Sequence, residues 1–260
     1  MDVAEVLARY DAQLRRDVRA APPARVERAG SVVRYLNDDE EGGWEAVVWA
    51  DLDGSTADAQ IAGELAFFAA RGRRFEWKHH AYDRPADLPA RLVAAGFEPD
   101  EDEALLVAEI GSLAAVTTAP DGVRLVPVDD ETGVDQVVAV HEEVFGTDHS
   151  WLRRELAARL EAPETGAAVL AVAGDRPVCA GRVEFHAGTD FASLWGGGTL
   201  PGWRGRGIYR ALVDHRARLA AERGYRYLQV DASPESQPIL QRLGFVRLTT
   251  TTPYVWRPPA

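Results

Sequence analysis

Residues 196–207 read GGGTLPGWRGRG, and this stretch decides how the rest of the chain is interpreted. It follows the strand-like FASLW and precedes IYRALVDHRARLAAERG, whose apolar residues have helical spacing. Glycine lets a backbone turn tightly and approach a ligand closely. A helix N-terminus behind such a loop presents free amides and partial positive charge, and Arg204, Arg206 and Arg210 add formal charge. The stretch therefore predicts a cradle for a diphosphate.

Two common phosphate-binding loops do not fit this sequence. The chain contains no G-x-x-x-x-G-K-[ST] motif, so a nucleoside triphosphatase loop is not supported. The dinucleotide fingerprint G-x-G-x-x-G fails because Arg210 stands at its third glycine. The loop also follows the fourth predicted strand of its half, whereas the fingerprint follows the first.

The second half of the chain predicts alternating strands and helices. Its hydrophobic patterns, bounded by turn residues, indicate strands at 122–128, 167–174, 176–185, 191–199 and 225–232. Helical spacing is found in VDQVVAVHEEVF, in WLRRELAARLE after Ser150, and in the helix that Gly224 closes. A last helix, SPESQPILQRLGF, is expected to begin with Ser233 as N-cap and Pro234 in its first turn.

The end of this pattern occurs twice in the chain. Residues 222–245 and 70–97 both run from a helix-ending glycine, through a strand containing aromatic residues, to a proline-started helix ending in Gly-Phe. Upstream, WEAVVWADLDGST again leads from a strand into a helix, but with an acidic turn. The repeat predicts an α/β (α+β) protein with a mixed sheet and two copies of one fold in tandem.

Length and charge agree with two units. The 260 residues are 46 % hydrophobic and 27 % charged, and Cys179 alone cannot form an intramolecular disulfide. Residues 1–120 carry a formal charge of −10 and residues 121–260 one of −2, out of −12 in total. The segment 110–122 is predicted as a connector between domains at 1–115 and 122–260. The acidity argues against nucleic acid or an anionic membrane as partner. The single cysteine is typical of a reducing compartment, so we expect a cytoplasmic protein.

The loop and its surroundings resemble the GNAT superfamily of N-acyltransferases. The coenzyme A motif of that superfamily, [QR]-x-x-G-x-[GA], matches from Arg204 to Gly207 and departs at its last position, which is Tyr209. The LGF at 243–245 is a second landmark of the superfamily. The resemblance covers about residues 122–256 and implies acetyl-CoA as co-substrate, direct attack by an amine, and the following cofactor-binding residues: Gly197, Gly198, Thr199, Arg204, Gly205, Arg206, Gly207, Ile208, Tyr209, Arg210 and Ser233.

The chemistry of the transfer is not assigned by the resemblance, because Leu240 stands at the position of the usual tyrosine acid. The usual asparagine at the start of that helix is Ser233. A leucine cannot donate a proton, so another group or water must do so. Candidates for accepting the ammonium proton are Glu184, the first choice, followed by His186 and Asp231, and candidates for the replacement acid are Tyr209 and Tyr254.

The acceptor is expected to be a primary amine of a small molecule or peptide. Glu142, Glu143 and Asp148 lie where this superfamily shapes its acceptor pocket and are candidate contacts for its ammonium group. No spacing of histidines predicts a metal site. We expect a monomer or homodimer. The alternative to an N-acetyltransferase is a non-catalytic acyl-CoA sensor or regulatory module.

The first half resembles the degenerate N-terminal copies of tandem GNAT proteins. Its EWK at 76–78 and GF at 96–97 match their signature. The acidic turn ADLDGST predicts that this half does not bind coenzyme A. Lys78, the only lysine of the chain, is the residue of this signature most worth testing.

Overall fold

The computed structural model describes residues 1–20, 24–39, 43–113 and 119–258. Part of the predicted connector, including the proposed boundary at residue 115, therefore lies outside the described residues. Among the helices of these ranges, none combines the length and apolar character that a membrane crossing requires.

The helices and strands alternate along the chain much as the hydrophobic patterns predict. Two short irregular segments, a π-helical turn at Asp11–Arg16 and a 3-10 turn at Pro201–Trp203, add to the regular elements. In chain order the regular elements are α1 (Val3–Tyr10), β1 (Ala24–Ala29), β2 (Val32–Asn37), β3 (Ala46–Ala50), α2 (Ala57–Arg71), β4 (Phe75–His80), α3 (Leu88–Ala94), β5 (Glu98–Pro99), β6 (Glu103–Glu109), β7 (Val123–Pro127), α4 (Glu131–Phe145), α5 (Trp151–Glu161), β8 (Gly166–Ala173), β9 (Arg176–Phe185), β10 (Phe191–Thr199), α6 (Ile208–Glu222), β11 (Tyr227–Ala232), α7 (Gln237–Arg242) and β12 (Val246–Trp256).

The described chain forms two compact units. The first unit contains residues within 1–106, 231–237 and 247–260, and the second contains residues within 107–230 and 238–246. Two short segments of the second half thus pack within the first unit. The domain boundaries at 1–115 and 122–260, which concern the two copies of the repeat, stay a prediction.

Both units contain the same succession of elements, as the repeat predicts. In the first unit, β3 leads through α2 to the parallel strand β4, with Ala46 opposite Glu76. In the second unit, β10 leads through α6 to the parallel strand β11, with Phe191 opposite Tyr227. The strand order is β1-β2-β3-β4-β12-β6 in the first unit and β11-β10-β9-β8-β7 in the second. A tight turn at residues 174–175 joins the antiparallel pair β8 and β9.

Each unit has its own apolar core, and residues on alternating faces of the strands fill it. In the first unit, Phe68 of α2 stacks on Phe75 of β4 with ring centroids 3.9 Å apart. In the second unit, α4 and α5 cover one face of the sheet, and Ile208 and Leu212 of α6 pack on the other face with Cys179. Burial raises the pKa of the Cys179 thiol to about 11, so this residue is a core hydrophobe.

The last helix begins later than its sequence suggests. Ser233 and Pro234 were expected as N-cap and first turn, but α7 begins at Gln237. Ser233 nevertheless makes the hydrogen bonds expected of an N-cap, because its carbonyl oxygen accepts from the Gln237 amide at 2.9 Å and its Oγ accepts from the Ser236 amide at 3.4 Å. The expected N-cap at Ser233 therefore agrees with these bonds, whereas the regular helix begins three residues after the predicted first residue, Pro234.

Candidate active site

A bulge in β10 lies at the centre of the second unit. Trp195 is opposite Arg182 of β9 and Gly198 is opposite Ala180, so two residues of β10 face one residue of β9. Gly196 has a φ of +54°, a conformation that other residues rarely adopt. A Cβ atom at Gly197 would lie 2.8 Å from the Tyr209 ring. A Cβ atom at Gly198 would lie 2.7 Å from Val144 of α4. Gly197 and Gly198, which are predicted to bind the cofactor arm, therefore also leave the space that side chains of α6 and α4 occupy.

Arg216 of α6 supplies hydrogen bonds that the bulged strands leave unmade. Its Nη1 donates to the carbonyl oxygens of Arg182 at 2.9 Å and Trp195 at 3.4 Å, and its Nε donates to the Leu212 carbonyl at 3.2 Å. The side chain is 1 % exposed. Arg216 therefore ties the start of the cofactor loop to the helix that follows the loop.

The loop itself turns twice in the left-handed region. Gly205 has a φ of +75° and Gly207 one of +83°. Arg204 donates from Nε to the Thr199 carbonyl at 3.1 Å, and Arg206 donates to the Gly202 carbonyl at 3.1 Å. These hydrogen bonds fix the backbone conformation of the loop. Both arginines therefore have a structural role in addition to any contact with phosphate.

The N-terminus of α6 is open to a ligand. The helix begins at Ile208, whose buried side chain anchors it, and Gly207 stands at the N-cap. In the described part of the chain no side chain makes a capping hydrogen bond to this helix. The first amides of α6 thus keep their donors and their partial positive charge, as a pyrophosphate would need.

The equivalent turn of the first unit is closed by its own carboxylate. Asp53 Oδ1 accepts hydrogen bonds from the amides of Ser55 at 2.8 Å and Thr56 at 2.9 Å, just before α2. Hydrogen bonds from Ser55 and Thr56 lower the pKa of Asp53 to about 2. The carboxylate therefore stays ionised where a phosphate would have to bind, in agreement with the predicted loss of coenzyme binding.

Glu184 lies near the end of β9, and His186 follows the last residue of this strand. Glu184 forms an ion pair with Arg159 of α5. Burial raises the pKa of Glu184, but Arg159, His186 and Arg182 outweigh burial and lower it overall. A carboxylate with a lowered pKa holds a proton poorly, which reduces its strength as a base.

His186 is part of a hydrogen-bonded chain. Its Nε2 lies 2.7 Å from Ser193 Oγ, and Ser193 donates to Gln229 Oε1 at 2.7 Å. Because the serine proton goes to Gln229, Nε2 of His186 must donate, and Nδ1 is left to accept a proton. Burial lowers the pKa of His186. Its imidazole is therefore neutral near pH 7 in a defined tautomer.

Asp231 and Tyr254, two other candidates for proton transfer, belong to the first unit. Asp231 pairs with Lys78 Nζ at 2.5 Å and accepts a hydrogen bond from Thr251 at 3.3 Å. Tyr254 packs in the apolar core of the first unit and meets His79 edge to face. Burial raises the pKa of the Tyr254 phenol. The structure gives Asp231 an ion-pair partner and Tyr254 a packing role, and their part in proton transfer stays a prediction.

Two further positions bear on the expected proton donor. Leu240, where the superfamily's tyrosine would stand, is fully buried. Tyr209, on the first turn of α6, is partly exposed beside Gly197, and burial raises the pKa of its phenol. A phenol with a raised pKa keeps its proton near pH 7 and can donate it.

The residues expected to contact the acceptor lie at the end of α4 and in the loop after it. Glu143 is exposed and pairs with Arg176 at 3.3 Å, and Glu142 accepts from the His149 amide at 3.4 Å. Asp148 accepts from the Ser150 amide at 2.8 Å, which lowers the pKa of Asp148. All three carboxylates therefore have partners within the protein.

Two residues that the sequence reasoning passed over lie beside the bulge. A Cβ atom at Gly196 would be 2.3 Å from Cε1 of His141 and 3.0 Å from Nη1 of Arg182. Burial, followed by the charge of Arg182, lowers the pKa of His141 to about 4. The alternation of β9 could place Arg182 on the face of Glu184, but no local signal connects it with His141, which is 41 positions earlier.

Comparison with known proteins identifies the second half. The sequence model of the Acetyltransferase (GNAT) family matches residues 126–245, which include α4, the bulged strand, the loop and α7. The chain carries a GNAT acetyltransferase domain. The resemblance stated from the loop motif is thereby confirmed, and acyl transfer is the general activity of the domain. No curated protein matches the sequence.

Solved structures extend the similarity of fold over both units. A GCN5-related N-acetyltransferase from Kribbella flavida has a TM-score of 0.71 and 21 % identity, covering 100 % of this chain and 96 % of its own. A GCN5-related N-acetyltransferase from Sphaerobacter thermophilus has a TM-score of 0.63 and 15 % identity, with coverages of 99 % and 86 %. A tandem GNAT protein from the clavulanic acid biosynthesis pathway has a TM-score of 0.62 and 14 % identity, with coverages of 93 % and 86 %. The tandem GNAT architecture is confirmed.

Proposed function

We propose that the second unit transfers an acetyl group from acetyl-CoA to a primary amine. The observation that carries this is the uncapped N-terminus of α6 behind a loop whose glycines hold left-handed turns. In the first unit Asp53 accepts hydrogen bonds from the amides of Ser55 and Thr56 directly before α2, so that turn holds a carboxylate where the loop before α6 has glycines and arginines.

The open space at the loop supports this donor. The amides of residues 205–210 lie at and just before the N-terminal end of α6, and a Cβ at Gly205 would meet nothing within 4 Å. Backbone groups of residues 197–199 at the bulge would bind the pantetheine arm. Acetyl-CoA supplies an activated acyl thioester.

The transfer requires proton movements that the protein must provide for. A C–N bond forms and the C–S bond breaks, while the acceptor nitrogen loses two protons, one from the ammonium group before attack and one as the amide forms, and the thiolate gains one proton. Of the two candidates at the end of β9, His186 is favoured for accepting the ammonium proton, because its imidazole is neutral and Nδ1 is free of the bond to Ser193. Tyr209, whose phenol keeps its proton, is the candidate donor closest to the bulge.

Calorimetry and a thiol-release assay test this proposal. Acetyl-CoA should bind once per chain, and Arg206→Glu, which places a carboxylate on the loop, should weaken binding about tenfold. Arg218→Glu makes the same charge change at an exposed position of α6 away from the loop and should leave binding unchanged. Absence of acetyl-CoA binding would overturn the proposal.

An amine panel then separates the enzyme from a sensor. Thiol release should exceed the hydrolysis background for at least one primary amine, and His186→Gln should lower kcat about 100-fold with little change in KM for the amine. Acetyl-CoA binding with no transfer to any amine of a broad panel would favour the non-catalytic acyl-CoA sensor. The replacement of the superfamily's usual tyrosine by the buried Leu240, and of its usual asparagine by Ser233, is the observation that favours this alternative.

A further inference from the structure

The side chain of Arg182 is a buried cation for which the described residues supply no hydrogen-bond partner. This side chain projects from β9 into the second unit, and the residue is 6 % exposed. Its Nε atom is fully enclosed and makes no hydrogen bond. An enclosed donor has lost its hydration without receiving a substitute, which is costly unless a ligand supplies one.

His141 brings a second unsatisfied group to the same point. A Cβ at Gly196 would lie 3.0 Å from both Arg182 Nη1 and His141 Nε2. His141 is 1 % exposed, and in the described chain its Nε2 has no hydrogen-bond partner. The bulge and the absent side chain of Gly196 therefore allow two buried polar groups to converge beside the expected position of the acyl group.

The carboxylates nearest to Arg182 are engaged elsewhere. Glu155 and Glu184 both attract the Arg182 charge. Each, however, hydrogen-bonds to Arg159, which lies 2.9 Å from Glu155 Oε1 and also contacts Glu184. Arg159 satisfies two carboxylates while Arg182 has no hydrogen-bonded carboxylate among the described residues. The guanidinium group of Arg182 is therefore available to donate hydrogen bonds to an anionic oxygen of a ligand.

Aromatic side chains continue from His141 toward the surface. The ring of Phe145 is 5.4 Å from that of His141 and 5.5 Å from that of His149, and Trp151 is 6.1 Å from His149. Phe145 is 47 % exposed and Trp151 is 51 % exposed. These rings lie in the segment where the superfamily binds its acceptor, and they offer an apolar surface beside His141.

We propose that the acceptor is an amine that also carries a carboxylate, as an amino acid does, and that Arg182 binds this carboxylate with Nε2 of His141 beside it. This deepens the function proposed above and rests on it. The planar fork of a guanidinium matches two carboxylate oxygens, which a neutral or cationic acceptor would leave unused. The apolar part of the acceptor lies against Phe145 and Trp151. The exposed carboxylates first expected to bind the acceptor, Glu143 among them, are outside this contact.

Matched pairs of acids and amides test the proposal by binding, independently of turnover. The probes are L-phenylalanine with L-phenylalaninamide and L-leucine with L-leucinamide, each titrated by NMR into the full chain saturated with the non-hydrolysable donor analogue acetonyl-CoA. We expect the acid of at least one pair to bind at least tenfold more tightly than its amide. Equal binding, preference for the amide, or no binding by either acid would overturn the proposal.

Two arginine variants assign the effect. Arg182→Gln should remove the preference for the acid, a loss of about 10- to 100-fold in acid affinity, while leaving acetyl-CoA binding intact. Arg182→Lys keeps the charge and the fold but loses the fork, and should retain only part of the preference. Arg176→Gln, at an exposed position of the same strand, is the matched control and should retain all of it. Retention of the full preference in Arg182→Gln would refute the role of Arg182.

The same data distinguish this proposal from the function on which it rests. Acid-selective binding that depends on Arg182, with no thiol release from acetyl-CoA, would leave the site standing and refute the transferase. Thiol release with neutral or cationic amines, together with no acid selectivity, would support the transferase and refute the site.

Discussion

The guanidinium group of Arg216 donates a 2.9 Å hydrogen bond to the backbone carbonyl of Arg182. The same Nη1 atom reaches the Trp195 carbonyl, so one side chain of α6 bridges both strands at the bulge. Bulges leave backbone groups unpaired, and a buried carbonyl without a donor lowers stability. The geometry of the strand that would bind the cofactor arm therefore depends on a buried side chain whose Nη1 and Nε donate to backbone carbonyl oxygens.

Substitution of Arg216 should lower both stability and donor affinity. Arg216→Met removes the donors at the bulge while filling similar volume, and we expect about 2 kcal/mol less free energy of unfolding and weaker acetyl-CoA binding. Urea denaturation and calorimetry measure the two effects. Arg218→Met, on the same helix but 59 % exposed, should change stability by less than about 0.5 kcal/mol. Equal effects of the two substitutions would contradict the bridging role.

Because Gly207 is in the left-handed region and Gly202 is not, substitution by alanine should lower stability and donor affinity at Gly207 only. Gly207→Ala forces a side chain into a φ of +83° and should cost about 1 kcal/mol of stability and lower acetyl-CoA affinity. Gly202→Ala adds the same methyl group where nothing lies within 4 Å and φ is ordinary. This control should match the wild type in thermal unfolding and in calorimetry. If Gly202→Ala were the more damaging variant, the loop conformation described above would be wrong.

The pair of Lys78 and Asp231 predicts strong coupling in the first unit. Asp231 is 3 % exposed and Lys78 is 13 % exposed at a separation of 2.5 Å, so Lys78→Met should leave a buried carboxylate uncompensated and cost about 3 kcal/mol. The double variant Lys78→Met with Asp231→Asn should recover a large part of this loss. Chemical denaturation of the four proteins of this cycle gives the coupling energy. Additive single effects would show that the contact does not stabilise the unit.

Glu103 predicts a pH dependence of stability. Burial raises the pKa of Glu103 to about 7, Lys78 opposes the shift, and the charges of Asp231, Glu76 and Asp100 add to it. An acid with a raised pKa favours the folded state most below its unfolded value near 4.5, and this contribution is lost as the pH rises through about 7.

Glu103→Gln should therefore flatten the decline of stability between about pH 5 and pH 8, by up to about 2 kcal/mol. Unfolding free energies measured at intervals across this range test the expectation. Glu98→Gln, at a side chain that is 78 % exposed, should leave the slope of the wild-type curve in place. A Glu103→Gln curve parallel to that of the wild type would show that Glu103 does not titrate in this window.

Local sequence signals predict much of this molecule. Glycine and arginine spacing identifies the loop at 204–207, and Gly224 ends α6 in the left-handed conformation that a C-terminal glycine predicts. The repeat predicts the two matching strand–helix–strand segments. Each of these rests on residues within about 30 positions of one another, where periodicity and turn chemistry are informative.

Contacts between distant residues account for what the sequence leaves out. His141 and Arg182 meet only because the bulge shapes β10 around Gly196. The pairing of Glu184 with Arg159 of α5, which makes this carboxylate a weaker base than its place on the strand suggests, likewise depends on how a helix packs on a sheet. Neither the register of a bulge nor the packing of a helix leaves a periodic signal.

Because Asp53 binds the amides of the first loop, the stability of the first unit does not depend on a diffusible ligand at this turn, whereas that of the second unit depends on the proposed acyl donor. A carboxylate tethered two residues from the amides that it binds acts at an effective concentration that no free diphosphate reaches. The first unit therefore carries a permanent internal ligand. The donor proposed for the second unit would stabilise that unit by mass action, by an amount that grows with the logarithm of the free donor concentration once this exceeds the dissociation constant. When the donor is scarce, the half of the chain with the working loop is the half that loses stability.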